Sequence, residues 1–212
     1  MTYSPRCLAA VLGFSFCFNL VAQQVVNPSL SIQSETPVRT KHAMVVSIQH
    51  LATDAGVEVL KEGGNAVDAA VATGFALAVV HPEAGNIGGG GFMLIHFRDG
   101  LHDGKSTFID YREKAPLAAS TDMYLDDKGN IIPDASLVGY KAVGVPGSVA
   151  GMAYAEKKYG KLTLAKVMAP AIRLASDGFV LTEEEARELH DSDLGRFPET
   201  KHILSRHFGS IL

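Results

Sequence analysis

Four consecutive glycines, Gly88 to Gly91, sit between two apolar stretches of this 212-residue chain. Ahead of them lies an Ala/Val-rich run from Ala66 to Val80, and behind them Phe92-Met-Leu-Ile95. A flexible linker is polar on both sides, and this run is not. Glycine loses more conformational freedom on ordering than any other residue. A run of it in apolar surroundings therefore predicts backbone that packs closely or takes positive φ. It does not read as a phosphate cradle. No Lys-Ser/Thr pair follows it, and it leads into a strand-like run, not a helix N-terminus. Two roles stay open for it: packing against the core, or the floor of a pocket.

The flanks give the coarse organisation. His50 to Glu62 carries Leu51, Ala55, Val59 and Leu60 at helical spacing, and Gly63-Gly64 ends that helix. Asn65 caps a second helix, with Asp68 at its third position, close to a capping box. From Ala66 to Val80 the residues are apolar nearly all round, which predicts a buried helix, and Pro82 stops it. Met44 to Ile48 reads as a short strand. Phe92 to Arg98 and Thr107 to Tyr111 read as antiparallel strands, with turn chemistry at Asp99-Gly100 and Asp103-Gly104. Residues 117 to 140 read as irregular, with a turn over Asp127 to Asn130. A helix from Pro146-Gly-Ser148 ends at Gly160, and another from Leu164 to Asp177 ends at Gly178. A third is capped by Thr182, with Glu183, Glu184 and Glu185 at its positive end. Arg196 to Leu212 shows no clear pattern. Buried helices beside short antiparallel strands predict a layered α+β domain.

The first residues read as an address. One positive charge precedes the apolar run Cys7 to Leu20, and Val21-Ala22-Gln23 offers a cleavage point. The expected organisation is a signal peptide over 1–22, an extended lead-in over 23–42 and a domain over 43–212. The alternative for the first segment is an uncleaved anchor. The expected destination is the periplasm or the extracellular space. Both cysteines, Cys7 and Cys17, lie in that segment, so the exported chain has no disulfide and no thiol chemistry. A net charge of -4 argues against nucleic acid as a partner. The eight histidines are scattered without ligand-like spacing, so no metal and no cofactor are expected.

Arg112, at the end of the second strand-like run, is the candidate binding residue. A guanidinium holds a carboxylate through two parallel hydrogen bonds, and a strand end presents it from a rigid element. The same arginine could pair with Glu113 or Asp110, or stand in solvent. Glu113 reads as a structural partner, and Ser148 as a residue of a helix first turn. No serine stands in a Gly-x-Ser-x-Gly elbow, and no nucleophile stands beside a base, so no catalytic residue is assigned in this chain.

Several blocks resemble the large subunit of gamma-glutamyltranspeptidases, also called glutathione hydrolases. They are Gly63-Gly-Asn-Ala-Val-Asp-Ala-Ala70, His81 to Phe92, Asp110 to Pro116, Gly144-Val-Pro-Gly-Ser-Val-Ala-Gly151 and Ala175-Ser-Asp-Gly-Phe179. The resemblance implies an N-terminal nucleophile hydrolase fold of αββα layers, incomplete in this chain. It implies a precursor that cuts itself, after which the new N-terminal threonine of a small subunit attacks the γ-glutamyl carbonyl of glutathione. The glutamyl group then passes to water or to an amine acceptor. It gives Arg112 the role of clamp for the substrate α-carboxylate, and it makes the small subunit a partner. A family large subunit is longer than this chain, and no Thr-Thr-His-type junction occurs here. The expected state is an N-terminal portion without its nucleophile. The alternatives are a non-catalytic remnant or a cephalosporin acylase-like relative.

Overall fold

A computed structural model describes residues 36–98, 103–191 and 193–207. The described residues fall into two units, 36–41 and 42–207. The first carries no helix or strand. The segment 1–22 expected to be a signal peptide and the turn expected at Asp99-Gly100 lie outside the described residues.

The second unit is built around one buried helix. Helix α1 spans His50–Lys61, and its cap is Gln49, whose Oε1 accepts from the Leu51 and Ala52 amides. It buries Ala52, Ala55, Gly56 and Val59. Gly63, at φ 94°, turns the chain out of the helix, where only glycine is unstrained.

Helix α2 spans Ala66–Val80. Its capping box is complete: Asn65 Oδ1 accepts from Val67 N at 2.8 Å and Asp68 N at 3.1 Å, and Asp68 Oδ2 accepts from Asn65 N at 2.7 Å. Nearly every face is covered, with Val71, Ala72, Ala76 and Val80 at 0% exposure. Such burial matches its all-round apolar sequence.

Strands β1 (Phe92–His96) and β2 (Ser106–Asp110) form an antiparallel pair, with Phe92 opposite Asp110 and Leu94 opposite Phe108. Side chains alternate across the pair. Met93, Ile95 and Ile109 pack on the helical core, while Phe92, Leu94 and Phe108 face outward. Gly104, at φ 70°, makes the described part of the connecting turn, its N–H donating to the Phe97 carbonyl.

Helix α3 (Ser148–Tyr159) and helix α4 (Leu164–Asp177) complete the layer, the latter capped by Thr163 and packed on α2 through Val167 and Ala171. Helix α5 spans Glu183–Asp191. Thr182 and Glu185 cap it reciprocally, since Thr182 Oγ1 accepts from Glu185 N and Glu185 Oε2 accepts from Thr182 N.

Two expectations fail. Met44 to Ile48 has no strand partner among the described residues. The alternation is present, with Val46 and Ile48 outward and Val45 against Gly56. What is missing is a ladder, and periodicity cannot supply one. The stretch after Arg196 does contain order: helix α6 spans Pro198–His207. Its few apolar residues hide the helical period, and Pro198 at its first position is a local start signal.

Candidate functional site

The end of β2 is held from three sides. Tyr111 N donates to the Gly91 carbonyl at 3.0 Å, extending the ladder into the glycine run. Lys114 and Val145 exchange backbone hydrogen bonds at 2.8 and 3.2 Å. The amides of Gly147 and Ser148, opening α3, both donate to the Gly89 carbonyl at 2.8 and 3.0 Å.

Glycine is required here by close approach. A Cβ on Gly90 would stand 2.6–2.7 Å from Tyr111 O, Arg112 Cα and Glu113 N. One on Gly147 would meet the Tyr111 carbonyl, and one on Gly151 the Tyr111 ring. None of Gly88 to Gly91 has positive φ. Close packing is therefore the reason at Gly90 and, against the Tyr111 ring, at Gly91, while Gly88 stands in open space.

Arg112 leaves this braced segment. Its amide donates to Asp110 Oδ1 at 3.0 Å. Among the described residues its guanidinium forms no ion pair with Asp110, Glu113 or any other carboxylate. It lies instead over the Phe92 ring, with Cζ 5.8 Å from the centroid. Phe92 is stacked on Phe108, at 5.5 Å between centroids and 23° between planes. A hollow of about 400 Å³ opens beside Arg112, bordered also by Lys114, Val145, Pro146 and Tyr154. Asp110 borders it too, so two cations stand with one carboxylate, a net positive wall that suits an anion. The hollow between His81, Leu137 and Phe197 carries Glu83, Glu185 and Glu188, a lining that repels a carboxylate.

The other candidates fall into structural places. Glu113 packs its Cβ against Gly144. Ser148 is buried, and its hydroxyl bonds the side chain of Asn86 at 3.3 Å, with no base beside it. Burial pushes the Tyr111 phenol up from its ordinary value. No three His, Cys, Asp or Glu side chains converge on a metal-sized site among the described residues. No helix of the described residues is long and apolar enough to cross a membrane.

Two features escaped the sequence reading. One is the Phe92 ring under Arg112. The other is a buried carboxyl pair. Asp68 is fully buried and accepts from Asn65 N, Lys161 N and Leu162 N at 2.7–3.1 Å. Burial works to raise its pKa, but these amide donors outweigh it and hold the group below the ordinary aspartate value. Glu156, on α3, is 3% exposed; no fixed donor reaches its oxygens, and its own proton is what bonds it to Asp68. Burial first, and then the neighbouring Asp68 carboxylate, push it up to about 7. Capping-box spacing announces Asp68 and its local bond. Nothing in the sequence announces that residues 156, 161 and 162 come to meet it.

A helical layer thus lies on one face of an antiparallel ladder, with an unpaired cation where the ladder ends. Residues 52–212 match the family model described as gamma-glutamyltranspeptidase. The glutathione hydrolase proenzyme of Pseudomonas sp. (strain A14) is 58% identical over 191 residues, covering 90% of this chain and 31% of that protein. The proenzyme of the same name from Escherichia coli (strain K12) is 48% identical over 191 residues, covering 89% and 32%. The crystal structure of Helicobacter pylori gamma-glutamyltranspeptidase superposes with a TM-score of 0.73 at 47% identity, covering 79% of this chain and 47% of that one. The chain belongs to the gamma-glutamyltranspeptidase family. It spans about a third of the length of these two proenzymes.

Proposed function

We propose that these residues are the N-terminal part of an exported proenzyme that removes the γ-glutamyl group of glutathione and related peptides. The observation that carries this reading is the Arg112 guanidinium, unpaired among the described residues on a backbone braced from three sides. A free amino acid head offers the carboxylate such a cation takes. Two parallel N–H···O bonds would fix the glutamyl group in position as well as charge.

In this reading residues 1–22 are removed on export and residues 23–42 lead into the domain. The nucleophile is a threonine of the small subunit, outside this chain. Its hydroxyl oxygen bonds to the γ-carbonyl carbon, its own α-amine takes the proton, and the amine of the peptide leaves with a proton. Water or a second amine then takes the glutamyl group from the threonine ester. The glycine run serves by letting Tyr111 and Arg112 pack close against it.

Arg112→Lys in the proenzyme tests the assignment. Lysine keeps the charge and loses the planar fork. A clamp holds substrate throughout, so KM rises strongly. A misplaced carbonyl lowers kcat as well. The expected total loss in kcat/KM is about 3 kcal/mol, as for truncating one side of a buried charge pair. Self-cleavage needs no substrate, so subunits still form on a gel. If Arg112→Lys and Arg112→Ala both process and keep the parent kcat/KM, Arg112 is an ordinary surface arginine.

A further inference from the structure

An arginine that is to grip a carboxylate with two bonds has a difficulty. Its side chain rotates freely in solvent, and the usual way to still it is an ion pair, which consumes N–H donors and cancels the charge. Glu113 and Asp110 are the adjacent carboxylates, and neither pairs with it. The guanidinium rests on an aromatic face instead, 5.8 Å from the Phe92 centroid. A ring face attracts a cation through its quadrupole and takes none of the edge donors.

The ring is itself fixed. Phe92 stands opposite Asp110 in the ladder. It stacks on Phe108, its diagonal neighbour on the same outward face, at 5.5 Å. Asp110, the register partner of Phe92, also receives the Arg112 amide at 3.0 Å. One rung of the ladder thus sets both the backbone from which the arginine starts and the surface on which its head lies.

We propose that Phe92 is a positioning residue for Arg112, a platform that orients the guanidinium while leaving its hydrogen-bonding edge open to a substrate carboxylate. This rests on the reading of Arg112 as the substrate clamp. Leucine at 92 would keep apolar bulk and remove the π face. Tyrosine would keep the face.

The test is steady-state kinetics on the processed proenzyme with a γ-glutamyl anilide. The variants are Phe92→Leu, Phe92→Tyr and Arg112→Ala, plus the Phe92→Leu/Arg112→Ala double variant. Subunit formation on a gel and the melting temperature monitor the fold, and Phe92→Met replaces the leucine variant if that one does not process. Phe92→Leu is expected to lower kcat/KM roughly 3- to 10-fold, the range of a cation–π contact, chiefly through KM. Phe92→Tyr recovers most of that loss. In the Arg112→Ala background Phe92→Leu has no further effect, because the group it orients is gone. An unchanged KM in Phe92→Leu overturns the proposal. So does an equal loss in both backgrounds, since the ring then acts independently of the arginine. If Arg112→Ala alone keeps the parent kcat/KM, the clamp reading has failed and the platform falls with it. If Arg112→Ala is impaired and Phe92→Leu silent, Phe92 alone is discarded.

Discussion

Replacing Glu156 by glutamine should stabilise the domain, and by an amount that depends on pH. Glu156 is 3% exposed, no fixed donor reaches its two oxygens, and it bonds through its own proton to a carboxylate already engaged by backbone amides. Its pKa is pushed up to about 7, against 4.5 for an ordinary glutamate. The gap, at about 1.36 kcal/mol per pH unit, is worth about 3 kcal/mol. The folded state holds the proton more tightly than the unfolded chain. The associated stability is therefore fully present below pH 4.5, is lost progressively as pH rises through about 7, and changes no further above that. Asp68 acts in the opposite sense: its pKa is lowered, so its contribution fades as pH falls through the acid range. Glutamine carries no charge to desolvate. At pH 8 Glu156→Gln should exceed the parent by up to about 3 kcal/mol, or roughly 6–12 °C in melting temperature for a domain of this size. At pH 4.5 the two should nearly coincide. Urea denaturation followed by circular dichroism at pH 4.5, 6 and 8 measures both. A parent whose stability is flat over that range, or a variant offset equally at every pH, would refute the argument.

Asp68→Asn removes the charge that draws in the Asn65, Lys161 and Leu162 amides, and should cost about 2–3 kcal/mol at pH 7 in the same denaturation assay. Gly90→Ala should cost about 1–3 kcal/mol by forcing the Tyr111–Glu113 backbone aside. Gly88→Ala, with open space and no positive φ, should change the midpoint by less than about 0.5 kcal/mol. The isolated 212-residue chain, given a γ-glutamyl anilide, should release no chromogenic amine above a buffer blank. Turnover by a soluble monomer would mean that the nucleophile is in this chain after all.

Local rules carried the sequence reading a long way. Asn65 and Asp68 at capping-box spacing, the glycines at 63, 160 and 178, and Thr182 before its glutamates marked helix ends, because each is a contract between residues a few positions apart. The strand at Phe92 was legible as an apolar run, but that run does not alternate, and which of its faces turns inward was not legible. Met44 to Ile48 shows a second limit, since alternation describes a strand's surface and says nothing of its neighbour. The site divides in the same way. Arg112 was found as a residue type in a strand-end position, and the resemblance gave it a role. That its guanidinium would ignore Glu113 and lie on Phe92 depends on a register between residues twenty apart, which local spacing does not encode. Glu156 reads as one more exposed glutamate beside two lysines. It is buried because α3 docks on α2.

The Asp68 contacts also bear on the order in which the chain can fold. They join residues 93 positions apart. Closing a loop that long costs roughly 4 kcal/mol in chain entropy before any bond repays it. During synthesis, α1 and α2 emerge well before Leu162. Until that residue is available, the carboxylate has its own helix amide and water as partners, and burying it without the later donors would be costly. The clasp therefore delays commitment. The helical hairpin can form early, but the N-terminal end of α2 cannot settle into the core until α3 has been made and the turn after it has arrived. The rate of native packing should follow the slow, non-local step and respond to changes at Asp68 more than to changes in helix propensity.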